Sequence, residues 1–295
     1  MDQLQSVRQR VGNLTIATHF SPPQNRSVIH FLHGTGFSSQ TYLPFLKGLS
    51  DDFDLFLQDV QGHGESASDA RFVGWNGTAE YALRVMDAHQ PYFEGRPVLG
   101  VAHSFGAVVT LLMAARNPER FRGLVLLEPV LFPKRRLTFF TCMGMLGLLS
   151  QNPLARQARR RTREWANRTA AEAYFHERGI FKGWSKPALH AYLDFALRST
   201  EGGGLALKCQ PEFEAQIFSS FPRQLWKSVR RLSVPTVIVR GTTGYPVLAE
   251  TFPLASAANP KITSHTLEGG HCFMQERPQE VAAWVKAKCH QLLGS

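Results

Sequence analysis

The chain has 295 residues, 43% of them hydrophobic and 19% charged, a balance that excludes a disordered or fibrous protein and suffices for one large domain. Its net charge of +10 would by itself point to nucleic acid or an anionic membrane surface. The distribution argues otherwise: residues 131–232 hold 18 of the 33 basic and 7 of the 23 acidic residues, a net of +11, and the rest of the chain stands at −1.

In chain order, the opening M-D-Q-L-Q-S-V-R-Q-R lacks the apolar core of a secretory signal. V-G-N-L-T-I-A-T-H-F, S-V-I-H-F-L, D-L-F-L-Q-D, P-V-L-G-V-A, G-L-V-L-L-E and P-T-V-I-V-R read as strands. Several are apolar without alternation, the pattern of strands buried on both faces. Between them Thr78–Gln90, Phe105–Arg116 and Pro278–Leu293 read as helices, and Val281, Trp284, Val285 and Cys289 share one face of the last. The alternation predicts an α/β fold, a mostly parallel central sheet with helices on both faces. It breaks after Glu128 and resumes at Pro235. The expected organisation is therefore a core domain of residues 1–130 and 233–295, with residues 131–232 inserted as a basic helical cap. No run approaches the roughly 18 apolar residues of a bilayer span, and the four cysteines, Cys142, Cys209, Cys272 and Cys289, match neither a disulfide framework nor a zinc pattern. A cytoplasmic globular protein is expected.

The chemistry-bearing segments lie at strand ends. F-L-H-G-T-G-F, from Phe31, follows a strand and is glycine-rich, so its backbone can approach a reacting oxygen closely. Thr35 would supply one N–H of an oxyanion hole and Phe105 the other. In D-V-Q-G-H-G-E-S, Asp59 to Ser66, His63 is assigned a structural role between its two glycines. In A-H-S-F-G a strand turns sharply into a helix, which forces Ser104 into a strained, exposed position and demands small residues two places either side; Ala102 and Gly106 meet that demand. In L-E-G-G-H-C-F, His271 follows a strand and two glycines, suited to a loop that brings the imidazole over Ser104 as general base.

The order H-G-x, D-x-x-G-H-G-x-S, x-H-S-x-G and G-G-H resembles the α/β-hydrolase superfamily over about residues 10–293, with the cap at the family's usual insertion point. An Ala in the first elbow position is familiar from some bacterial lipases. The resemblance implies a triad acid, and in most members an Asp follows the strand that corresponds to Pro235–Arg240. Here G-T-T-G-Y-P-V-L-A follows, without a carboxylate, and the first acid is Glu250. The other strand end that could supply one carries Glu128, a position some members use. A carboxylate leaving an apolar strand needs a partner, and His271 would be that partner. Glu250, a dyad without an acid, and a purely structural Glu128 anchoring the cap are the competing readings.

Within the cap, Leu137–Leu149 is apolar on all sides and flanked by Lys134-Arg135-Arg136 and Arg156 to Arg163. It reads either as a lid whose basic flanks touch a membrane surface or as a helix packed against the body. The second is favoured, because Met and Phe stripes usually mark core. Nucleic acid is not expected, since the basic cluster lacks a binding motif and has few aromatics beside it. The function expected is a cofactor-free and metal-free serine hydrolase of small-molecule carboxylic esters with a small-to-medium apolar acyl group, acting through an acyl-enzyme. A thioesterase, a C–C bond hydrolase of the meta-cleavage type and a non-enzymatic small-molecule receptor are the alternatives.

Overall fold

The computed structural model describes residues 4–68, 71–138 and 152–294. Six strands precede residues 131–232: β1 (Gln5–Val11), β2 (Leu14–Phe20), β3 (Val28–Leu32), β4 (Asp54–Gln58), β5 (Val98–His103) and β6 (Gly123–Leu127). Within that interval lie β7 (Glu164–Trp165), β8 (Leu197–Ser199) and β9 (Leu205–Leu207), and after it β10 (Thr236–Gly241) and β11 (Ile262–Leu267). The main sheet runs β1-β2-β4-β3-β5-β6-β10-β11, antiparallel at β1–β2 and β2–β4 and parallel elsewhere. The expected α/β architecture is thus the observed one.

Alternate residues of each central strand load the two faces. Val28, Phe56, Ala102, Leu126 and Ile238 pack toward the helices Gly74–Ala88, Ser104–Arg116, Leu225–Arg231 and Pro246–Ala258. Ile29, Leu55, Val101, Val125 and Val239 pack toward the opposite layer, which includes helix Pro278–Gly294. Both faces are apolar, which explains why these strands read as continuous apolar runs.

Two details differ from the sequence reading. The single strand expected from Val11 to Phe20 is the second arm of a hairpin that turns at Gly12 (φ +62°) and Asn13. Its first arm, Q-S-V-R-Q-R-V, is an exposed edge strand whose polar residues carry no hydrophobic period. The interval between β6 and β10 is likewise not wholly helical or irregular, since β7, β9 and β8 form a small antiparallel sheet there.

β6 and β10 are neighbours, Leu124 opposite Thr236, so the intervening chain leaves and rejoins the sheet at one place. It packs on the loops that follow β3 and β4, that is, over the C-terminal ends of the strands. Phe37 there meets Phe181, Trp184 and Tyr192, and His63 meets Phe213. Most of Leu137–Leu149 lies outside the described residues.

Candidate active site

At the C-terminal end of β5 the chain turns directly into helix Ser104–Arg116. Ser104 occupies the left-handed region, φ +54°, a conformation that costs a non-glycine residue of order 1–3 kcal/mol. Gly106 makes the turn feasible: a Cβ there would sit 2.5 Å from the backbone oxygens of Leu32 and His33. Ala102, on the other side, is fully buried and its methyl is accommodated.

His271 reaches Ser104 from the loop between β11 and the C-terminal helices. Its Nε2 lies 2.9 Å from Ser104 Oγ and its Nδ1 lies 3.0 Å from Glu128 Oε2. The proton on Nδ1 is donated to the carboxylate, which leaves Nε2 as the acceptor for the serine hydroxyl. Burial holds the His271 imidazole down, to about 3. The ring is therefore uncharged at neutral pH and able to accept a proton.

Glu128 ends β6, also at positive φ (+49°), and its side chain is fully buried. Burial pushes its carboxyl up to about 7, against hydrogen bonds from the backbone N–H groups of Gly241 and Tyr245. Those donors come from the end of β10 and the loop after it, the segment without an acid of its own. Gly244 leaves the room: a Cβ there would lie 2.3 Å from Glu128 Oε1. Glu250 is elsewhere, half-exposed in an ion pair with Arg135. The structure thus brings Glu128 to His271 and leaves Glu250 at the surface.

Thr35 lies on a loop whose flanking amides are committed to the protein. Gly34 N–H donates to Tyr42 Oη at 3.2 Å and Gly36 N–H to His63 Nε2 at 3.0 Å. Thr35 N–H has no partner among the described residues. The Phe105 N–H belongs to the first turn of its helix, where amides have no intrahelical acceptor. His63 is where the sequence placed it, shaping the loop. Its Nδ1–H bonds Gln61 O, its uncharged Nε2 receives Gly36, and burial holds the ring down to about 3. Buried Asp59 ties the two loops together by accepting from Ser39 N–H and Oγ, Glu65 N–H and His19. Burial opposes its ionisation, yet the bonds led by His19 keep the carboxyl below its ordinary value.

Sequence reasoning missed the residues that hold these parts in register. His103 Nε2–H donates to the His271 carbonyl at 2.9 Å, while His103 Nδ1 accepts from Tyr42 Oη at 2.7 Å. One chain of bonds therefore links the Gly34 amide, the residue before Ser104 and the loop of His271. Tyr245 lies against the His271 ring, centroids 4.2 Å apart. The sequence does carry a signal for His103, a polar residue at the end of a wholly apolar strand, but none for its partners. Among the described residues no group of three His, Cys, Asp or Glu is arranged to hold a metal, and no helix is long and apolar enough to cross a membrane.

Residues 31–284 match the profile of the alpha/beta hydrolase family. An uncharacterized protein of Bacillus subtilis, YqjL, is 36% identical over 38% of this chain and 43% of its own length. The human monoglyceride lipase is 30% identical over 39% of each chain. The chain thus spans less than half the length of these two relatives. The crystal structure of E-2-(acetamidomethylene)succinate hydrolase superposes with a TM-score of 0.77 at 20% identity, covering 97% of this chain and 98% of that one. At that identity the likeness speaks for the fold.

Proposed function

The chain belongs to the alpha/beta hydrolase family, and from that premise we propose that it is a serine hydrolase of acyl compounds, carboxylic esters first and thioesters next. One observation carries the reading: an unbroken line from Ser104 Oγ through the uncharged His271 imidazole to the buried Glu128 carboxylate. Ser104 attacks the acyl carbonyl as His271 Nε2 takes its proton. The imidazolium so formed is stabilised by Glu128, and it delivers the proton to the departing oxygen or sulfur. The negative charge on the tetrahedral oxygen falls to the N–H groups of Thr35 and Phe105, and each such donor is worth about 10²–10³ in rate. Water, activated by His271, then releases the acid from the acyl-enzyme.

An apolar acyl group is supported by what flanks Ser104. The ring of Phe105, the next residue, lies 4.6 Å from Trp75 and 6.1 Å from Phe72, with Phe132 packed on Trp75, so the turn at Ser104 is backed by an apolar cluster of the core. The test is hydrolysis of p-nitrophenyl esters from acetate to palmitate, with Ser104→Ala as control. Turnover that disappears in the variant is expected. Absence of turnover across the whole series, or turnover that survives Ser104→Ala, would overturn the reading.

A further inference from the structure

The cap's excess of positive charge is not spread evenly. Of the thirteen arginines in residues 131–232, Arg163 meets Glu212, Arg168 meets Asp194, Arg135 meets Glu250 and Arg161 meets Glu214. Arg156, Arg160 and Arg178 form no ion pair among the described residues, nor do Arg136, Arg198, Arg223, Arg230 and Arg231; what sets the three apart is that they gather in one place. These three converge, with Arg161, Gln157 and Tyr174, on one cavity of about 430 Å³ whose lining contains no carboxylate.

Two features distinguish this from a solvated basic face. Arg178 lies over Tyr174, its guanidinium carbon 4.2 Å from the ring centroid, which holds the charge at the cavity. Arg161, the innermost of the four, bonds Glu214 at 2.6 Å and approaches Tyr192 Oη at 3.4 Å. A Cβ on Gly36 would sit 3.0 Å from Glu214 Oε1 and 3.2 Å from Arg161 Nη1. The inner wall of the cavity is therefore also the neighbour of the Thr35–Gly36 loop. Arg161 has Glu214 as its counter-ion, whereas Arg156, Arg160 and Arg178 gather without one and repel one another, and guanidinium forks match phosphate oxygens in pairs. A space of this size suits a small organic molecule.

We propose that this cavity binds the phosphorylated part of an acyl substrate, so that the compound cleaved at Ser104 is an ester or thioester whose leaving group carries organic phosphate. The leaving group extends from Ser104 past the Thr35–Gly36 loop toward Arg161 and the cavity. The balance is that of ordinary hydrolysis: the acyl C–S or C–O bond breaks, water supplies the new C–O bond, and His271 returns a proton to the leaving group.

The inference rests on the acyl-hydrolase reading, and its test separates the two. Butyryl-coenzyme A and S-butyryl-N-acetylcysteamine present the same thioester with and without phosphates. Wild-type kcat/KM is expected to be at least 10-fold higher for the coenzyme A thioester. The double variant Arg160→Glu/Arg178→Glu should abolish that preference through KM while turnover of the cysteamine thioester stays unchanged. Both positions are exposed, so charge reversal there leaves the fold intact. Calorimetric titration of coenzyme A into Ser104→Ala protein, with and without the double variant, reads the cavity independently of chemistry. Binding that depends on Arg160 and Arg178 without any turnover would uphold the cavity and sink the hydrolase reading. Equal kcat/KM for the two thioesters, with no binding of coenzyme A, would overturn the inference and leave the hydrolase reading standing. Binding of phosphatidylglycerol vesicles with the same arginine dependence, in place of coenzyme A, would overturn it in favour of a lipid headgroup.

Discussion

Replacing Glu128 by Gln changes one atom and tests the acid at the strand end. The site accepts hydrogen bonds only: the carboxylate receives Gly241 N–H, Tyr245 N–H and His271 Nδ1–H. An amide has one accepting oxygen and one donating nitrogen, so one side of the site must go wrong. If the NH₂ faces the two backbone amides, donors oppose donors in a buried place, at about 1–3 kcal/mol for each bond lost. If it faces His271, the imidazole must move its proton to Nε2, and Nε2 can no longer take one from Ser104. The second arrangement forfeits fewer bonds and prevails. The expected loss is about 10⁴ in kcat, the scale known for a triad acid exchanged for its amide, or about 5.5 kcal/mol. The assay is steady-state hydrolysis of the best p-nitrophenyl ester, with thermal unfolding as the check on folding. Glu250→Gln, at a half-exposed surface pair, should stay within about twofold. The pH profile adds a second readout. Burial raises the Glu128 carboxyl to about 7, so the Glu128–His271 pair takes up its first proton there as pH falls, and kcat/KM should drop below about pH 7. In Glu128→Gln the buried imidazole alone remains, held down by desolvation, and the residual activity should keep its plateau to lower pH. A mild Glu128→Gln alongside a damaging Glu250→Gln would refute the assignment.

Three further outcomes follow from the same geometry. Gly244→Ala would put a methyl 2.3 Å from Glu128 Oε1; displacing the carboxylate by about 1 Å should cost about 10²-fold in kcat, read in the same ester assay, with KM little changed. His103→Phe would strand the Tyr42 hydroxyl and the His271 carbonyl, a destabilisation of about 1–3 kcal/mol for each group, measurable by denaturant titration. Burial holds His30, His33, His63 and His103 below their ordinary value. The unfolded chain binds protons near pH 6.5 that the folded one excludes, so stability should fall as pH drops from about 6.5 toward 4; unfolding midpoints that stay flat across that window would contradict it.

How far the sequence was legible follows from what each feature needs. The central strands were readable because both faces are apolar, and the turn at Ser104 because a strained strand-to-helix join restricts residue size at Ala102 and Gly106. Glu128 stood out as a carboxylate ending an apolar strand and His271 as a residue after a strand and two glycines, and the structure sets the two 3.0 Å apart. What stayed hidden rests on contacts far apart in the chain. Tyr42, His103 and His271 are 61 and 168 residues apart along their bonds, and nothing local to a tyrosine marks it as the link between two loops. The edge strand Gln5–Val11 was hidden for the opposite reason, since solvent on its residues erases the hydrophobic period. The arginine cavity shares both features: the charge of the cap is plain in the composition, but which arginines lack a carboxylate is decided by Glu212, Asp194 and Glu250, residues the sequence does not pair.

The loop G-T-T-G-Y, which looks deficient in sequence, is better understood as the receiving half of the acid's site. β6 and β10 are adjacent and parallel, with Leu127 opposite Val239. A carboxylate leaving the end of either strand can therefore arrive at the same imidazole nitrogen. When it comes from β6, the end of β10 must do two things that an Asp there would otherwise make unnecessary. It must donate N–H groups to the far side of the carboxylate, as Gly241 and Tyr245 do, and it must leave the volume that Gly244 leaves. The positive φ of Glu128 is the corresponding adjustment on β6, turning the side chain across to the neighbouring strand. Restoring an Asp within Thr242–Gly244 while Glu128 remains would set two carboxylates against one imidazole, and only one of them could ionise at neutral pH. Activity in such a variant should return only when Glu128 is also made Gln, and a rescue in that double variant, measured as kcat relative to Glu128→Gln alone, would establish that the two strand ends serve one function.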